Sequence, residues 1–319
     1  MQDATTEGAR VTGWRRGLRS WFDKRTTNLA LMYPPPMAHY DPAARYDVLS
    51  QDVEYLRVDG ESLLMTVYRP VGDGPFPMLL RAHGGAWNIG DRLGAASIDT
   101  QLAECGMVVA AHDFGLAPAH SYPVQVAQTN FAVRWLKAHA SDFNGDPSCV
   151  GGAGDSSGGH TILLTAMRPN DPRYAAISAD GIDDDASLSF LIALWTIVDP
   201  LARYEWAKSE KGANVERLVR STENYFRPWD AVHEANPQEM LDRGEDVTLP
   251  PLLVVQGTAD GNIPHAIPQR FAESWDRAGG HAEYEAFPGM TLWFARDPGP
   301  ETDRAIALMR SFLARQTNG

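Results

Sequence analysis

The sequence predicts an α/β fold: a mostly parallel central sheet covered by helices on both faces. Three observations carry that prediction. From about residue 77 to 315, apolar runs of strand length alternate with helical stretches. The glycine-rich turn Gly151 to Gly159 joins one such run to one such helix, and another run ends in His83-Gly84-Gly85. Regular alternation implies right-handed crossovers and a sheet buried on both sides. Ligands of such sheets bind beyond the carboxyl ends of the strands.

The elements follow in chain order. Residues 12 to 32 place Trp14, Leu18, Trp21, Phe22, Leu29 and Leu31 in a loose amphipathic pattern that ends before Pro34-Pro35-Pro36, so residues 1–48 read as an N-terminal arm packing on the body or its lid. The main domain then covers 49–319, opening with hairpin-like strands over 53–58 and 62–69, separated by Gly60. A buried strand over 77–82 follows the Gly72-Asp73-Gly74-Pro75 turn signal. After it come strand 107–112, helix 123–140, strand 148–153, a helix from 157, and strands 187–195 and 251–257. Helix 265–279, strand 281–287 and helix 300–315 complete the pattern. The polar, helical stretch of about 197–248 breaks the alternation and reads as a lid inserted between two strands, presenting Trp206, Tyr225, Phe226 and Trp229 to whatever it faces. Those aromatics equally suit anchoring, an apolar substrate or a second subunit, so a homo-oligomer stays open.

Bulk properties exclude several functions. A chain of 319 residues suffices for one large domain with an elaborated insertion. With 28 basic against 41 acidic residues the net charge is −13, which repels nucleic-acid backbones and anionic lipid surfaces. No apolar run approaches a membrane span, and the stretch holding Arg15, Arg16 and Arg19 has no following apolar region of a secretory signal, so a cytoplasmic protein is expected. Cys105 and Cys149 read as two buried thiols rather than a disulfide or metal pair. No two histidines stand four apart around a glutamate, paired cysteines are absent, and Gly151 to Gly159 lacks a P-loop lysine. Neither a metal nor a cofactor is expected.

Two motifs carry chemistry. Cys149-Val150-Gly151-Gly152-Ala153 is small and apolar and feeds into Gly154-Asp155-Ser156-Ser157-Gly158. A serine held on a tight strand-to-helix turn needs small residues two positions away on either side, and Gly154 and Gly158 supply that clearance. The second motif, His83-Gly84-Gly85-Ala86-Trp87, closes strand 77–82 where backbone N–H groups can approach a developing alkoxide. The amides of Gly84, Gly85 and Ser157 are the candidate oxyanion donors, with His83 orienting the loop.

With Leu116-Ala117-Pro118 and Tyr122-Pro123 between them, and Gly159-His160 after the second, these motifs occur in a family's order. Over roughly 50 to 315 the chain resembles the hormone-sensitive-lipase-like branch of the α/β-hydrolases, bacterial esterases included. The resemblance implies a carboxylic-ester hydrolase with Ser156 as nucleophile. It also implies Asp260 as the acid, because Leu252-Leu253-Val254-Val255-Gln256-Gly257 leads into Thr258-Ala259-Asp260. Taken alone, Asp260 reads as a turn or capping aspartate. The family's base follows one strand later, in a segment of the form Phe-Pro-Gly-Met-Pro-His-Gly-Phe. Here that segment is Phe287-Pro288-Gly289-Met290-Thr291-Leu292-Trp293-Phe294, so Leu292 occupies the histidine position and both its neighbours differ.

The departure matters because the imidazole takes the serine proton and returns it to the leaving group. In a serine protease its loss costs on the order of 10⁶ in turnover, while an oxyanion hole keeps roughly 10³ to 10⁴ over water. His265, five residues after Asp260, is the nearest substitute by sequence, although a surface helix residue is its plainer reading. His160, four residues after Ser156, and His281 read as structural, and Asp155 as a group that shapes the pocket. Three functions therefore stand: a serine esterase for small esters with an unusual base, a silent ligand-binding protein of the kind gibberellin receptors represent in the same branch, and a noncanonical lyase or acyl transferase.

Overall fold

The computed structural model describes residues 40–318. Its sheet opens with a hairpin of β1 (Val48–Val58) and β2 (Glu61–Pro70). Asp59 and Gly60 between them both adopt positive φ, at 50° and 85°, as the two-residue turn matching strand twist requires. Six more strands follow: β3 (Phe76–Ala82), β4 (Val108–His112), β5 (Gly145–Asp155), β6 (Leu191–Leu194), β7 (Leu252–Gly257) and β8 (Ala282–Phe287). The spatial order is β1-β2-β4-β3-β5-β6-β7-β8, with β1 and β2 antiparallel and β3 to β8 parallel.

Register decides where the site lies. Ala82 pairs with Gly154, Asp155 with Leu194, and Leu194 with Val255. The carboxyl ends of β3, β5, β6 and β7 therefore finish level. The His83 loop, Ser156, Trp195 and the loop toward Asp260 emerge side by side, at the edge where such sheets bind ligands.

Two apolar cores cover the faces. Phe131 and Val133 of α2 (Val124–Ala138), Ile162 of α3 (Ser157–Met167) and Phe271 of α8 (Ala266–Arg277) share one core. Ile98 and Leu102 of α1 (Ala96–Ala103) share the other with Ile306 and Phe312 of α9 (Pro300–Thr317). Helix α1 is absent from the sequence reading. Its inward face mixes Ile98 and Leu102 with the fully buried Asp99, and a charge among the buried positions hides the apolar stripe. Strand β6 is shorter than 187–195. Ser189 and Trp195 extend the ladder toward Val150 O and Val255 O, but Trp195 leaves it at a φ of 38°.

Residues 197–248 form α4 (Pro200–Ser209), α5 (Ala213–Tyr225), α6 (Ala231–Glu234) and α7 (Pro237–Asp242), inserted between β6 and β7. The aromatics differ from the expectation of an exposed set. Tyr225 and Phe226 are fully buried, because the Tyr225 ring stacks on Trp87 with centroids 4.6 Å apart and Phe226 meets the same indole edge-on. Trp229 packs on Tyr204, also within the insertion.

The pattern at 12–32 lies outside the described residues. Tyr40, at their start, exchanges two hydrogen bonds with Asn318 after α9, at 3.1 and 2.8 Å. Cys105 and Cys149 are buried and free. No described helix is long and apolar enough to cross a membrane.

Candidate active site

Ser156 sits between β5 and α3 at φ 52° and ψ −118°, a region costing an L-residue about 1–3 kcal/mol. The surrounding backbone imposes it. Ser156 N–H donates to Leu194 O at 3.0 Å, and its carbonyl accepts from His160 and Ile197, each at 3.2 Å. The flanking glycines are sterically required. A Cβ on Gly158 would lie 2.3 Å from the carbonyl oxygens of both Ala82 and His83, and one on Gly154 would lie 2.6 Å from the Gly158 carbonyl carbon.

The loop after β3 lies directly against this turn. A Cβ on Gly84 would fall 3.2 Å from Ser156 Cβ and 2.5 Å from Asp155 Oδ2. Four contacts set the loop's shape. His83 Nδ1 meets Gly84 O at 2.9 Å while its ring stacks on Phe114, with centroids 4.2 Å apart. Trp87 N–H donates to Ser157 Oγ at 3.0 Å, and Gln125 Nε2 donates to Trp87 O at 2.9 Å. Fixing the Gly84 carbonyl toward His83 turns the Gly85 N–H of the same peptide the other way. Among the described residues the amides of Gly84, Gly85 and Ser157 donate to no acceptor, and that of Ser157 opens α3, where the helix dipole adds positive potential. Three free donors beside a strained serine hydroxyl are suited to an oxyanion.

Asp155 is fully buried beneath the turn and shared by two arginines. Arg81 Nη2 lies 3.3 Å from its Oδ1, and Arg296 Nη2 lies 2.7 Å from its Oδ2. Arg81 also donates through Nε to the buried Asp99 at 3.0 Å. Burial of Asp99 outweighs the attraction of Arg81 and pushes its carboxyl up to about 6. The sequence reading named Asp155 alone from this network. The available signal was Arg81 itself, a charge inside the otherwise apolar, wholly buried strand β3.

The acid position is filled differently. Asp260 follows β7, with Oδ1 accepting from the backbone of Asn262 at 2.7 Å and Ile263 at 3.1 Å, and Oδ2 from Gln256 Nε2 at 3.1 Å. Burial raises its pKa against those three donors, none of them an imidazole. The loop after β8 is stitched to the same place: Ala259 N–H donates to Met290 O at 2.9 Å and Gly289 N–H to Thr258 Oγ1 at 2.8 Å. Leu292 in that loop packs with Met290 and Phe294 on the core that holds Trp195 and Phe287.

The histidines are occupied elsewhere. His160 is fully buried, with Nε2 on Ala235 O at 2.8 Å and Nδ1 accepting from Trp87 Nε1 at 3.3 Å, and burial lowers its pKa to about 4. His112 is spoken for by Arg81 O and Thr129 Oγ1, both at 3.0 Å. His265 is exposed at the start of α8, and His281 is exposed before β8. Among the described residues no imidazole ring hydrogen-bonds Ser156 or the Asp260 carboxylate, the His160 contact with Ser156 being a backbone one. Arg203 of α4, which the sequence reading passed over among the charges of the insertion, lies 1% exposed beside Trp87 and the Asp260 loop.

Comparison with known proteins is consistent with this geometry. The model of the BD-FAE family matches residues 65–274. The esterase LipC of Mycobacterium tuberculosis is 29% identical over 223 residues, 67% of this chain and 52% of LipC. The versiconal hemiacetal acetate esterase of Dothistroma septosporum is 26% identical over 259 residues, 77% of this chain and 75% of that enzyme. The chain spans about half or less of the length of the first M. tuberculosis relatives it matches. Among solved structures, the metagenomic carboxylesterase EstE1 superposes with a TM-score of 0.70 at 21% identity, covering 86% of this chain and 91% of EstE1. The propionate-bound esterase Est2 of Thermogutta terrifontis gives 0.66 at 23% identity, covering 83% and 94%. These likenesses show the α/β-hydrolase fold.

Proposed function

From the premise that this chain belongs to the BD-FAE family and has the α/β-hydrolase fold, we propose that it is a serine hydrolase of small carboxylic esters. The observation that carries the reading is Ser156, at φ 52° on its turn, with the free amides of Gly84, Gly85 and Ser157 beside it. Ser156 Oγ attacks the ester carbonyl, and the three amides receive the oxygen as it gains charge. The helical insertion over residues 197–248 packs against the oxyanion loop at Trp87 through Tyr225 and Phe226.

Among the described residues no imidazole stands ready to receive the proton of Ser156. Leu292 cannot titrate, and Asp260 is committed to backbone and amide donors. That favours a second reading in which the pocket binds an ester-like ligand and does not cut it. Hydrolysis of a simple alkyl ester separates the two, because activated aryl esters leave without a general acid. Turnover of about 1 to 10³ per second that vanishes in Ser156→Ala supports the esterase. Activity unchanged in Ser156→Ala overturns it. No turnover in the native protein, with a gain of about 10² or more in Leu292→His, supports the binding reading, since general acid–base catalysis supplies roughly 10² to 10⁴.

A further inference from the structure

Two buried arginines lie near this site, and they are treated in opposite ways. Arg81 meets two carboxylates. Arg203, 1% exposed, meets none: its Nε donates to Asn262 O at 3.2 Å, its Nη1 reaches Thr222 Oγ1 at 3.4 Å, and its guanidinium stands 5.9 Å from the Trp87 ring. Among the described residues its Nη2 has no hydrogen-bond partner. Burial first, and then the nearby Arg217, lower its pKa to about 10 against the attraction of Asp260. A buried cation with no carboxylate in contact is costly, and Asp260 offsets it only at longer range, so a further anion nearby would be favourable.

A pocket of about 160 Å³ adjoins it. Gly85 and Ile89 of the oxyanion loop form one wall, and Arg217, Arg220 and Ser221 of α5 form the other. Thr222, which holds Arg203, is the next residue along that helix. Arg217 donates to Asn214 Oδ1 at 3.1 Å, and Asn214 in turn reaches Asn262 in the Asp260 loop at 2.7 Å. Neither Arg217 nor Arg220 forms an ion pair among the described residues, and Arg220 makes no side-chain hydrogen bond there. In a chain of net charge −13, this pocket is lined by two arginines and by no carboxylate, although Arg220 also shares a neighbouring surface of α5 with Glu216 and Glu223.

We propose that this pocket takes the anionic end of the substrate: an ester that also carries a free carboxylate, such as a monoester of a short dicarboxylic acid. The carboxylate is received by Arg217 and Arg220, while Arg203 keeps the wall positive from behind. Guanidinium forks match carboxylates in charge and in planar geometry. Gly85 belongs both to this pocket and to the candidate oxyanion set, so the anion anchors a molecule whose ester carbonyl lies toward Ser156. The inference rests on the ester-binding reading of the Ser156 site and deepens it.

The test pairs monomethyl glutarate, which is anionic, with dimethyl glutarate, which is neutral. Binding is measured by titration calorimetry on the Ser156→Ala protein, and turnover on the native protein. The monoester is expected to bind at least tenfold tighter, with the preference shrinking as salt is raised and collapsing in Arg220→Gln or Arg217→Gln. Both substitutions lie on the exposed side of α5, where they leave the buried core untouched. Equal affinity for the two esters, no measurable binding of the monoester, or a preference that persists in both variants overturns the inference. Preferred binding of the monoester with neither ester turned over keeps the anion pocket and rejects the esterase. Turnover of both esters without preference does the reverse.

Discussion

Around Ser156 almost every added atom would strike backbone: Gly154, Gly84 and Gly158 each stand where a Cβ would come within 2.6 Å of a neighbour. The loop after β8 is built otherwise. At Gly289 a Cβ would meet nothing within 4 Å, Trp293 is 39% exposed, and Leu292 is held by side-chain packing. One region is fixed by main-chain sterics and buried charge, the other by apolar contact and a few hydrogen bonds. Single ion pairs and short stitches join them, notably Arg296 of the second region on Asp155 of the first. The lesson is that an oxyanion-type cradle needs no base to hold its shape, so changes in the β8 loop can leave the elbow intact.

The largest effect expected from this contrast is on stability in Arg81→Met. Asp99 and Asp155 are both fully buried and both lean on Arg81, so removing it strands Asp99 and leaves Asp155 to Arg296 alone. A loss of about 3–5 kcal/mol in urea-denaturation free energy is expected. Arg296→Met removes the partner from the β8 side while Arg81 still serves Asp155, and a smaller loss of about 1–3 kcal/mol is expected. Equal losses would mean that the two regions are one cooperative unit rather than two.

The same substitution in both regions sharpens the point. Gly158→Ala places a methyl 2.3 Å from two carbonyl oxygens of the β3 end, and those cannot retreat without breaking the sheet register. About 3 kcal/mol is expected, the top of the ordinary range for overpacking. Gly289→Ala meets open space and bears only the strain of φ 74°, about 1 kcal/mol. Denaturation midpoints of the two variants, measured side by side, decide whether sterics or backbone strain dominates.

What the sequence made legible follows the same division. The turn at Ser156 and the Gly84-Gly85 loop were readable because main-chain clearance writes itself as glycine at fixed spacing. Strand and helix alternation was readable because apolar period is local. The network of Arg81, Asp99, Asp155 and Arg296 was not, since its partners lie up to 141 residues apart and no local pattern links them. Nor was Arg203 readable, being one charge among many in a polar helical segment until folding buries it. The burial of Tyr225 and Phe226 escaped for a similar reason: only Trp87, well over a hundred residues earlier, reveals which way they face.

The last effect expected concerns pH. Burial holds the Asp99 carboxyl at about 6, above its ordinary unfolded value near 3.9, with Arg81, Asp155, Arg296 and Tyr68 as its charged or titratable neighbours. The native state therefore holds this proton more tightly than the unfolded chain. Its contribution is full below about pH 4 and is lost as the pH rises through about 6, on the order of 3 kcal/mol in all. Asp260 in the other region is raised by burial too, against three donors and the nearby Arg203, so its own loss has the same sense. Denaturation of the native protein and of Asp99→Asn between pH 4 and 7 separates them. The difference between the two curves is expected to vary up to about pH 6 and to stay level above it. A difference that stays constant across the whole range would show that Asp99 is ionised throughout, and that the buried charges under Ser156 are balanced by Arg81 and Arg296 without a shared proton.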